Sequence, residues 1–298
     1  MNILLFGKDG QLGWELQRSL TPLGKIHAFG RGEVDLNDGD MIKNIITRLK
    51  PSVIINAAAY TAVDKAEQDQ DNCFAVNTDA VSVMAEEAQK RNALLVHYST
   101  DYVFDGKNEQ GYSEDDIANP LNIYGKSKYQ GERAVQQSGA DYLIFRTSWM
   151  YATRGENFAR TILKLAGERQ ELQIVNDQYG APTSAELIAD ITALALYKVL
   201  NDADNRQKYN GIYHLTAAGS TNWFDYASYV LKLAGNKGMS FKLDQQKLSG
   251  IPAEQYPAPA KRPKNSYLNT DKIKSVFGIH LPDWQYHVQR LIEEGIAL

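Results

Sequence analysis

Tyr124 and Lys128 form a Y-x-x-x-K pair, a spacing that occurs once although the chain has 17 tyrosines. Residues four apart lie on one face of a helix, so the phenol and the ammonium can point the same way. A free tyrosine has a pKa of about 10, and a nearby ammonium stabilises the phenolate and lowers that value. The pair therefore predicts that Tyr124 transfers a proton and that Lys128 supports the transfer. An exposed pair of helical residues would show the same spacing.

A glycine-rich turn closes the first apolar run of the chain, and its sequence is Gly7-Lys8-Asp9-Gly10-Gln11-Leu12-Gly13. Glycine permits a tight turn and leaves no Cβ between the backbone and a pyrophosphate, while the next helix offers free N–H groups. A plain strand-to-helix turn can contain the same glycines, but the position in the first βα unit favours a dinucleotide. Together with the Y-x-x-x-K pair, the turn predicts a nicotinamide-dependent oxidoreductase in which Lys128 also bonds the cofactor ribose.

Two other predicted strands end on residues that suit such a site. Thr100 follows the apolar run 94–99, where its hydroxyl could bond both a substrate oxygen and Tyr124, or simply cap the strand. The second strand ends Phe29-Gly30-Arg31, with no acid at its tip. An acid there favours NAD, whereas arginine accommodates the 2′-phosphate of NADP. We therefore expect NADPH to be used and NADH also to be accepted, with a solvated loop arginine as the alternative interpretation of Arg31.

The elements that would position these residues alternate along the first half of the chain. Short, nearly continuous apolar runs predict strands over 2–6, 26–29, 53–56, 94–99 and 142–146, and helical spacing occurs over 11–20, 41–49, 72–90 and 124–137. Parallel strands that are covered on both faces have this composition. The alternation predicts an α/β fold with a doubly wound, Rossmann-like parallel sheet, and residues 1–150 form its dinucleotide-binding domain.

The rhythm changes in the second half, which predicts a smaller α+β lobe for the substrate. Helices are expected over 157–167, 185–200, 223–234 and 284–294, and strands over 172–175 and 211–216. We expect residues 151–298 to cover the carboxyl edge of the sheet, with a segment at about 171–200 returning to the first domain. The proline-rich segment 251–263 fits either a cover over the active site or a linker.

Composition excludes several other classes of protein. The net charge is −4, with 32 basic and 36 acidic residues among 298, so bulk attraction to nucleic acid or to an anionic membrane is absent. Cys73 is the single cysteine, which rules out an intrachain disulfide. We expect no signal peptide and no membrane span, and hence a cytoplasmic protein.

Read together, these residues resemble the extended short-chain dehydrogenase/reductase family. The resemblance runs nearly end to end, and most specifically to a branch that reduces nucleotide-linked keto sugars. The segments that carry it, besides the glycine turn, are Asn56-Ala57-Ala58-Ala59-Tyr60-Thr61, Ser99-Thr100-Asp101-Tyr102-Val103-Phe104, Tyr124-Gly125-Lys126-Ser127-Lys128, Arg146-Thr147-Ser148-Trp149, Asp177-Gln178-Tyr179-Gly180-Ala181-Pro182-Thr183 and Arg262-Pro263-Lys264-Asn265-Ser266.

The resemblance implies a role for each matching residue. Tyr124 is the proton donor, Lys128 is its partner and holds the cofactor ribose, and Thr100 tunes the proton transfer. Besides these, the residues implied to contact the cofactor are Gly7, Gly10, Gln11, Leu12, Gly13, Arg31, Asp35, Leu36, Ala59, Tyr60, Thr61 and Tyr98. The substrate would contact Thr100, Asp101, Tyr124, Trp149, Arg262 and Asn265.

The implied reaction is the reduction of the C4 ketone of dTDP-4-dehydro-L-rhamnose to dTDP-L-rhamnose for cell-surface polysaccharide. A homodimer is also implied, with magnesium held by Glu15, Glu186 and Asp190, although these acids could equally be solvated.

Two rivals remain open. One is a sugar-nucleotide epimerase or dehydratase, although the second acid typical of dehydratases is replaced by Tyr102. The other is a non-catalytic regulatory subunit that resembles the beta subunit of methionine adenosyltransferase.

Overall fold

A parallel sheet of six strands forms the centre of this computed structural model, which describes residues 1–294. The order is β10-β5-β4-β3-β1-β2, and the order reverses between β1 and β3, as in a doubly wound fold. The strands in chain order are β1 Asn2–Phe6, β2 Lys25–Phe29, β3 Val53–Asn56, β4 Leu94–Thr100, β5 Asp141–Thr147, β6 Met150–Tyr151, β7 Leu172–Val175, β8 Tyr179–Gly180, β9 Thr183–Ser184, β10 Gly211–His214, β11 Thr221–Asn222 and β12 Leu248–Ile251.

Helices cover both faces of this sheet. They are α1 Gln11–Ser19, α2 Gly39–Leu49, α3 Val63–Ala66, α4 Gln70–Phe74, α5 Ala80–Lys90, α6 Ile123–Gln137, α7 Phe158–Glu168, α8 Ala185–Leu200, α9 Trp223–Asn236, α10 Asp271–Phe277 and α11 Trp284–Glu293. One apolar cluster joins the sheet to α2, α5 and α6, and a second joins its other face to α1 and α8. The predicted doubly wound parallel sheet is confirmed.

The predicted helix over 72–90 is interrupted. Residues Ala75–Asp79, between α4 and α5, are π-helical. The α6 helix packs so close here that a Cβ on Gly131 would lie 2.3 Å from the Asn77 carbonyl oxygen. Single π-helical turns of this kind often mark functional sites, and Asn77 does bond the backbone of Tyr60 near the carboxyl end of β3.

The second half of the chain forms the remaining small sheets and helices. Strand β7 pairs with β12, β8 with β11 and β6 with β9. Of the segment expected to return to the first domain, α8 packs on α1, whereas β7 lies in the separate β7–β12 pair. The strand that extends the main sheet is β10, which pairs with β5.

One apolar cluster continues from Leu5 in the sheet to Trp284 in α11, so the two halves share a core. The division near residue 150 stays a prediction, and positions 295–298 of the predicted lobe lie outside the described residues. Within residues 1–294, no helix combines the length and the apolar composition that crossing a membrane requires.

Candidate active site

The glycine turn joins β1 to α1 and is shaped by close backbone contacts. Gly7 has a φ of 91°, in the left-handed region, and a Cβ there would lie 2.7 Å from the Ala58 nitrogen. A Cβ on Gly13 would lie 2.0 Å from the Gly7 carbonyl oxygen. Gly10 differs, because it is exposed and a Cβ there would meet only that same oxygen at 3.4 Å. Gly7 and Gly13 are thus needed for packing, whereas Gly10 keeps the surface of the turn open.

The start of α1 suits an anionic ligand. Gly10 is the N-cap and supplies no side-chain cap, and the first turn contains no acid. Leu12 is buried beneath the turn, while the Gln11 side chain donates to the Glu156 carbonyl at 3.2 Å. The helix N-terminus, with its N–H groups and partial positive charge, therefore faces the open side of the turn.

The tip of β2 contains an acid that the sequence analysis missed. Arg31 is exposed, as predicted for a phosphate contact. Glu33, however, folds back so that its carboxylate accepts from the Gly30 N–H at 2.9 Å and pairs with Lys8 at 2.5 Å. The prediction that the tip of β2 has no acid is therefore wrong, because the fold of the backbone brings the Glu33 carboxylate to this tip. The sequence did indicate this contact, because Glu33 follows Gly30 by three residues, which is the spacing of a capping box.

The carboxyl end of β3 forms the next wall of the cleft. The Ala58 N–H donates to Asn56 Oδ1 at 3.2 Å, and the Tyr60 N–H donates to Asn77 Oδ1 at 2.9 Å. Ala59 is half-buried and Thr61 is exposed. Burial and the Asp69 carboxylate, which accepts from the Tyr60 hydroxyl, raise the pKa of Tyr60 to about 12. Hydrogen bonds to the side chains of Asn56 and Asn77 thus fix the backbone of this wall.

Asp35 and Leu36, the residues implied to flank adenine, lie beyond the tip of β2. Asp35 is exposed and accepts from the Asn37 N–H at 2.9 Å. Leu36 is half-buried against the cluster of α2 and α5. Their contacts with adenine stay a prediction.

Tyr124 lies in the first turn of α6, next to the end of β4. The N-cap Asn122 accepts from the Gly125 N–H at 2.8 Å, and a Cβ on Gly125 would lie 2.2 Å from the Tyr102 carbonyl oxygen. The Tyr124 ring meets the Tyr102 ring edge-on at 5.8 Å. Burial raises the pKa of Tyr124, and its hydrogen bond with Thr100 only partly opposes that shift. Tyr124 therefore keeps its proton at neutral pH, and the expected lowering of its pKa is absent.

Lys128 is buried beneath Tyr124 and is tied to β4. Its ammonium donates to the Tyr98 carbonyl at 2.6 Å and lies 3.3 Å from His97 Nε2. Burial lowers the pKa of Lys128 to about 8, against the opposing charge of Glu132. Burial and the nearby ammonium also lower the pKa of His97 well below its usual value, so that ring is neutral. The sequence-based prediction of the site did not include His97. The sequence contains one indication of it, a single imidazole in the largely apolar strand β4.

Thr100 and Asp101 complete this cluster at the carboxyl end of β4. The Thr100 hydroxyl donates to Asp101 Oδ1 at 3.0 Å. Both side chains are buried, and burial raises the pKa of Asp101 to about 6. The structure thus places Thr100, Asp101, Tyr124 and Lys128 at or beside the carboxyl end of β4, and their roles in catalysis and binding stay predictions.

Tyr98 is placed differently from the expected cofactor contact. Its hydroxyl bonds the Thr192 hydroxyl of α8 at 2.8 Å, and its ring is buried in the core on that face. The ring therefore faces away from Lys128, and only the Tyr98 carbonyl reaches the cluster. Side chains alternate between the two faces of a strand, so neighbouring His97 and Tyr98 must diverge.

Trp149 lies just beyond β5 at the same edge of the sheet. Its φ of 48° is in the left-handed region, which is an outlier for a bulky residue. The indole stacks on Trp223 at 3.5 Å, and a Cβ on Gly180 would lie 2.6 Å from it. Glycine at 180 is thus required for this aromatic wall. Trp223 was not predicted, because no local pattern links two such distant tryptophans.

A cleft of about 2310 Å³ runs along the lobe beside this wall rather than over Tyr124. Arg262 and Asn265 both line it. Arg262 donates to Asp64 Oδ2 at 2.8 Å, and Asn265 donates to the Asn108 carbonyl at 2.7 Å. Arg262 also interacts with Tyr102, whose ring contacts Tyr124, so the cleft adjoins the cluster at the end of β4.

The three acids proposed for magnesium are occupied by arginines. Arg18 donates to Asp190 at 2.9 Å and pairs with Glu15 at 3.2 Å, while Arg290 pairs with Glu186 at 3.1 Å. Within residues 1–294, no three histidine, cysteine or carboxylate side chains converge as metal ligands would.

Comparisons with known proteins give the same family over nearly the full length of the chain. Residues 1–296 match the family model described as the RmlD substrate binding domain. The chain is 47% identical over 298 residues to the dTDP-4-dehydrorhamnose reductase of Escherichia coli K12, covering 99% of this chain and 98% of that protein. It is 46% identical to the Burkholderia thailandensis reductase, with 100% of both chains covered.

Solved structures of other proteins share this fold over nearly the whole chain. The dTDP-4-dehydrorhamnose reductase of Bacillus anthracis, in complex with NADP, has a TM-score of 0.85 at 32% identity and covers 99% of each chain. A Thermus thermophilus UDP-glucose 4-epimerase in complex with NAD has a TM-score of 0.79 at 16% identity and covers 98% of each chain, which shows a shared fold alone.

Proposed function

The chain belongs to the family of the RmlD substrate binding domain, and we propose that it reduces the C4 ketone of dTDP-4-dehydro-L-rhamnose to dTDP-L-rhamnose. It is an oxidoreductase with a nicotinamide cofactor, and its product would enter cell-surface polysaccharide. The convergence of Thr100, Tyr124 and Lys128 at the carboxyl end of β4 is the observation that carries the proposal.

The residues of the cleft fit a dinucleotide. Gly10 leaves the turn open above the N-terminus of α1, so the turn can hold the pyrophosphate together with Gln11 and Leu12. Ala59, Tyr60 and Thr61 line the opposite wall. We propose NADPH as the main reductant because Arg31 is exposed at the tip of β2, with NADH also accepted.

Tyr124 is the proton donor in the proposed mechanism. When bound, the reduced nicotinamide supplies the hydride, and negative charge then grows on the ketone oxygen. The Tyr124 phenol holds its proton at neutral pH and gives it to that oxygen. The Thr100 hydroxyl bonds the phenol and directs it, and Lys128 is fixed by the Tyr98 carbonyl so that its ammonium can hold the ribose.

We assign binding of the sugar nucleotide to the region between the Thr100–Tyr124–Lys128 cluster and the cleft of the lobe. Asp101 sits behind Thr100, Trp149 offers a flat face stabilised by Trp223, and Arg262 and Asn265 line the cleft of the lobe. Arg262 supplies a cation for the diphosphate of the dTDP moiety.

Assembly and location stay predictions. A homodimer with magnesium at Glu15, Glu186 and Asp190 would require the ion to displace Arg18 and Arg290 from these acids. Magnesium is therefore not part of the proposed reaction. A cytoplasmic location likewise rests on the sequence.

One assay tests the proposal. Purified protein with NADPH and dTDP-4-dehydro-L-rhamnose should consume one NADPH per sugar and yield dTDP-L-rhamnose, identified by mass spectrometry and NMR. A changed sugar without net NADPH loss would indicate a dehydratase or an epimerase. Absence of any turnover by the isolated chain would favour a regulatory subunit.

A further inference from the structure

We propose that the Lys8–Glu33 ion pair at the tip of β2 decides how the protein discriminates between NADPH and NADH. Glu33 would accept from the adenosine ribose hydroxyls of NADH. The 2′-phosphate of NADPH would instead compete with Glu33 for Lys8. The inference rests on the proposed function, since it assumes that a dinucleotide binds in this cleft.

The pair lies where two adjacent strands end. Strands β1 and β2 are parallel and in register, with Phe6 opposite Phe29. The Gly7 and Lys8 N–H groups both donate to the Phe29 carbonyl, at 2.9 and 3.2 Å. The glycine turn and the tip of β2 therefore form one surface, which is where Rossmann-like folds bind the adenosine ribose.

Glu33 is held at this surface by its backbone. Its N–H donates to the Gly30 carbonyl at 3.0 Å, and its carboxylate accepts from the Gly30 N–H at 2.9 Å. This reciprocal arrangement fixes the carboxylate at the tip, where the ribose acid of an NAD-type site would stand. Glu33 is thus a built-in acceptor rather than a freely moving surface charge.

Lys8 and Arg31 supply the opposite charge. Lys8 Nζ lies 2.5 Å from Glu33 Oε2, and Arg31, two residues before Glu33 in the chain, is exposed. The ammonium and the Gly30 N–H lower the pKa of Glu33, which is therefore ionised at neutral pH. Asp9 adds a second acid, since a Cβ on Gly30 would lie 1.8 Å from its Oδ2. Two cations and two acids at one tip match neither a pure NAD site nor a pure NADP site.

The pair can exchange partners because both members face solvent. The side chains of Lys8 and Glu33 are 29% and 48% exposed, and exposed ion pairs of this kind are weak. A phosphate dianion that bonds Lys8 and Arg31 can therefore replace Glu33. Glu33 then carries an uncompensated charge beside the phosphate, which limits the preference for NADPH.

Direct titration of each cofactor, followed by nucleotide fluorescence in the absence of sugar nucleotide, tests this inference. Glu33→Gln keeps the acceptor for Gly30 but removes the charge, so NADPH should bind about fivefold more tightly and NADH more weakly. Lys8→Met should weaken NADPH by about tenfold and NADH by less than about twofold. Asp271→Asn, which breaks the exposed Lys274 pair on α10 at 2.7 Å, is the matched control and should change neither affinity.

The double variant separates competition from simple repulsion. If Glu33 competes for Lys8, the gain in NADPH affinity from Glu33→Gln should shrink in the Lys8→Met background. A gain that persists in full, or equal changes for both cofactors, would overturn the inference. Circular dichroism melts verify that each variant is folded. If wild-type protein binds neither cofactor, the proposed function itself fails; if it binds both and the variants leave their ratio unchanged, only this inference fails.

Discussion

Tyr124 and Lys128 lie one helical turn apart, yet burial shifts their pKa values in opposite directions. A phenol loses a proton to become charged, so burial raises its pKa; an ammonium is charged while protonated, so burial lowers its pKa. The consequence is a phenol that is protonated at neutral pH, as the proposed proton donor has to be. It is accompanied by an ammonium that is only partly protonated in weakly alkaline solution.

Replacing Tyr124 with phenylalanine removes the proposed proton donor. Because general acid catalysis contributes about 10²–10⁴-fold, turnover of Tyr124→Phe should fall by that order while NADPH affinity is retained. Single-turnover kinetics with dTDP-4-dehydro-L-rhamnose would measure this loss. Tyr129→Phe, which changes a phenol elsewhere on α6, is the control. Near-normal turnover of Tyr124→Phe would contradict the role assigned to it.

The pKa of Lys128, lowered to about 8, predicts an alkaline limb in the pH profile. The ammonium is present below that pH and is lost above it, so kcat should decrease as the pH rises through about 8. Lys128→Met should have lower turnover and no such limb, whereas Lys126→Met on the exposed face of α6 should keep the profile of the wild type. A kcat that stays flat up to pH 10 would be inconsistent with a required ammonium.

At the scale of elements, the glycines of the β1–α1 turn differ in what surrounds them. A Cβ on Gly13 would lie 2.0 Å from the Gly7 carbonyl oxygen, whereas a Cβ on Gly10 would extend over the open turn. Gly13 is therefore required for the packing of the turn, whereas Gly10 is the glycine that we propose to be required for cofactor binding.

This separation makes a paired prediction. Gly10→Ala should fold with a melting temperature near that of the wild type but bind NADPH at least about tenfold more weakly, because its methyl group occupies the approach of the pyrophosphate. Gly13→Ala should lower the melting temperature, since an overpacked core costs about 1–3 kcal/mol. Calorimetry and cofactor titration of both variants check the pair. Unaltered cofactor affinity in Gly10→Ala would remove the turn from the binding site.

The segment 251–263, whose role the sequence left open, is tied to the first half of the chain. Ala260 N–H and Arg262 both donate to Asp64, at 3.1 and 2.8 Å, and Asn122 donates to the Lys261 carbonyl at 2.8 Å. The N-cap residue of the Tyr124 helix thus also holds this segment. At the scale of the whole molecule, the segment connects the cleft of the lobe to the helix that carries Tyr124.

Asp64→Asn should loosen Arg262 without unfolding the protein. The Arg262 and Asp64 side chains are 26% and 43% exposed, so loss of their ion pair should change the free energy of unfolding by less than about 1 kcal/mol. Because Arg262 lines the cleft, KM for the sugar nucleotide should rise several-fold while KM for NADPH stays constant. Steady-state kinetics measures both, with Asp271→Asn as the control. An equal rise in both KM values would argue against a specific role in substrate binding.

The sequence by itself determined the parallel sheet, the glycine turn and the Thr100–Tyr124–Lys128 set. These follow from local rules: apolar runs define buried strands, a spacing of four residues defines a helical face, and the carboxyl ends of parallel strands meet at one edge. Local rules cannot state which distant side chains meet. Only the tertiary structure decided that Glu33 folds back onto Lys8, that Trp223 stacks on Trp149, and that the ring of Tyr98 faces the core. Each of these depends on how the backbone turns and on which elements pack together, and burial in that packing sets the proton affinities of Tyr124 and Lys128.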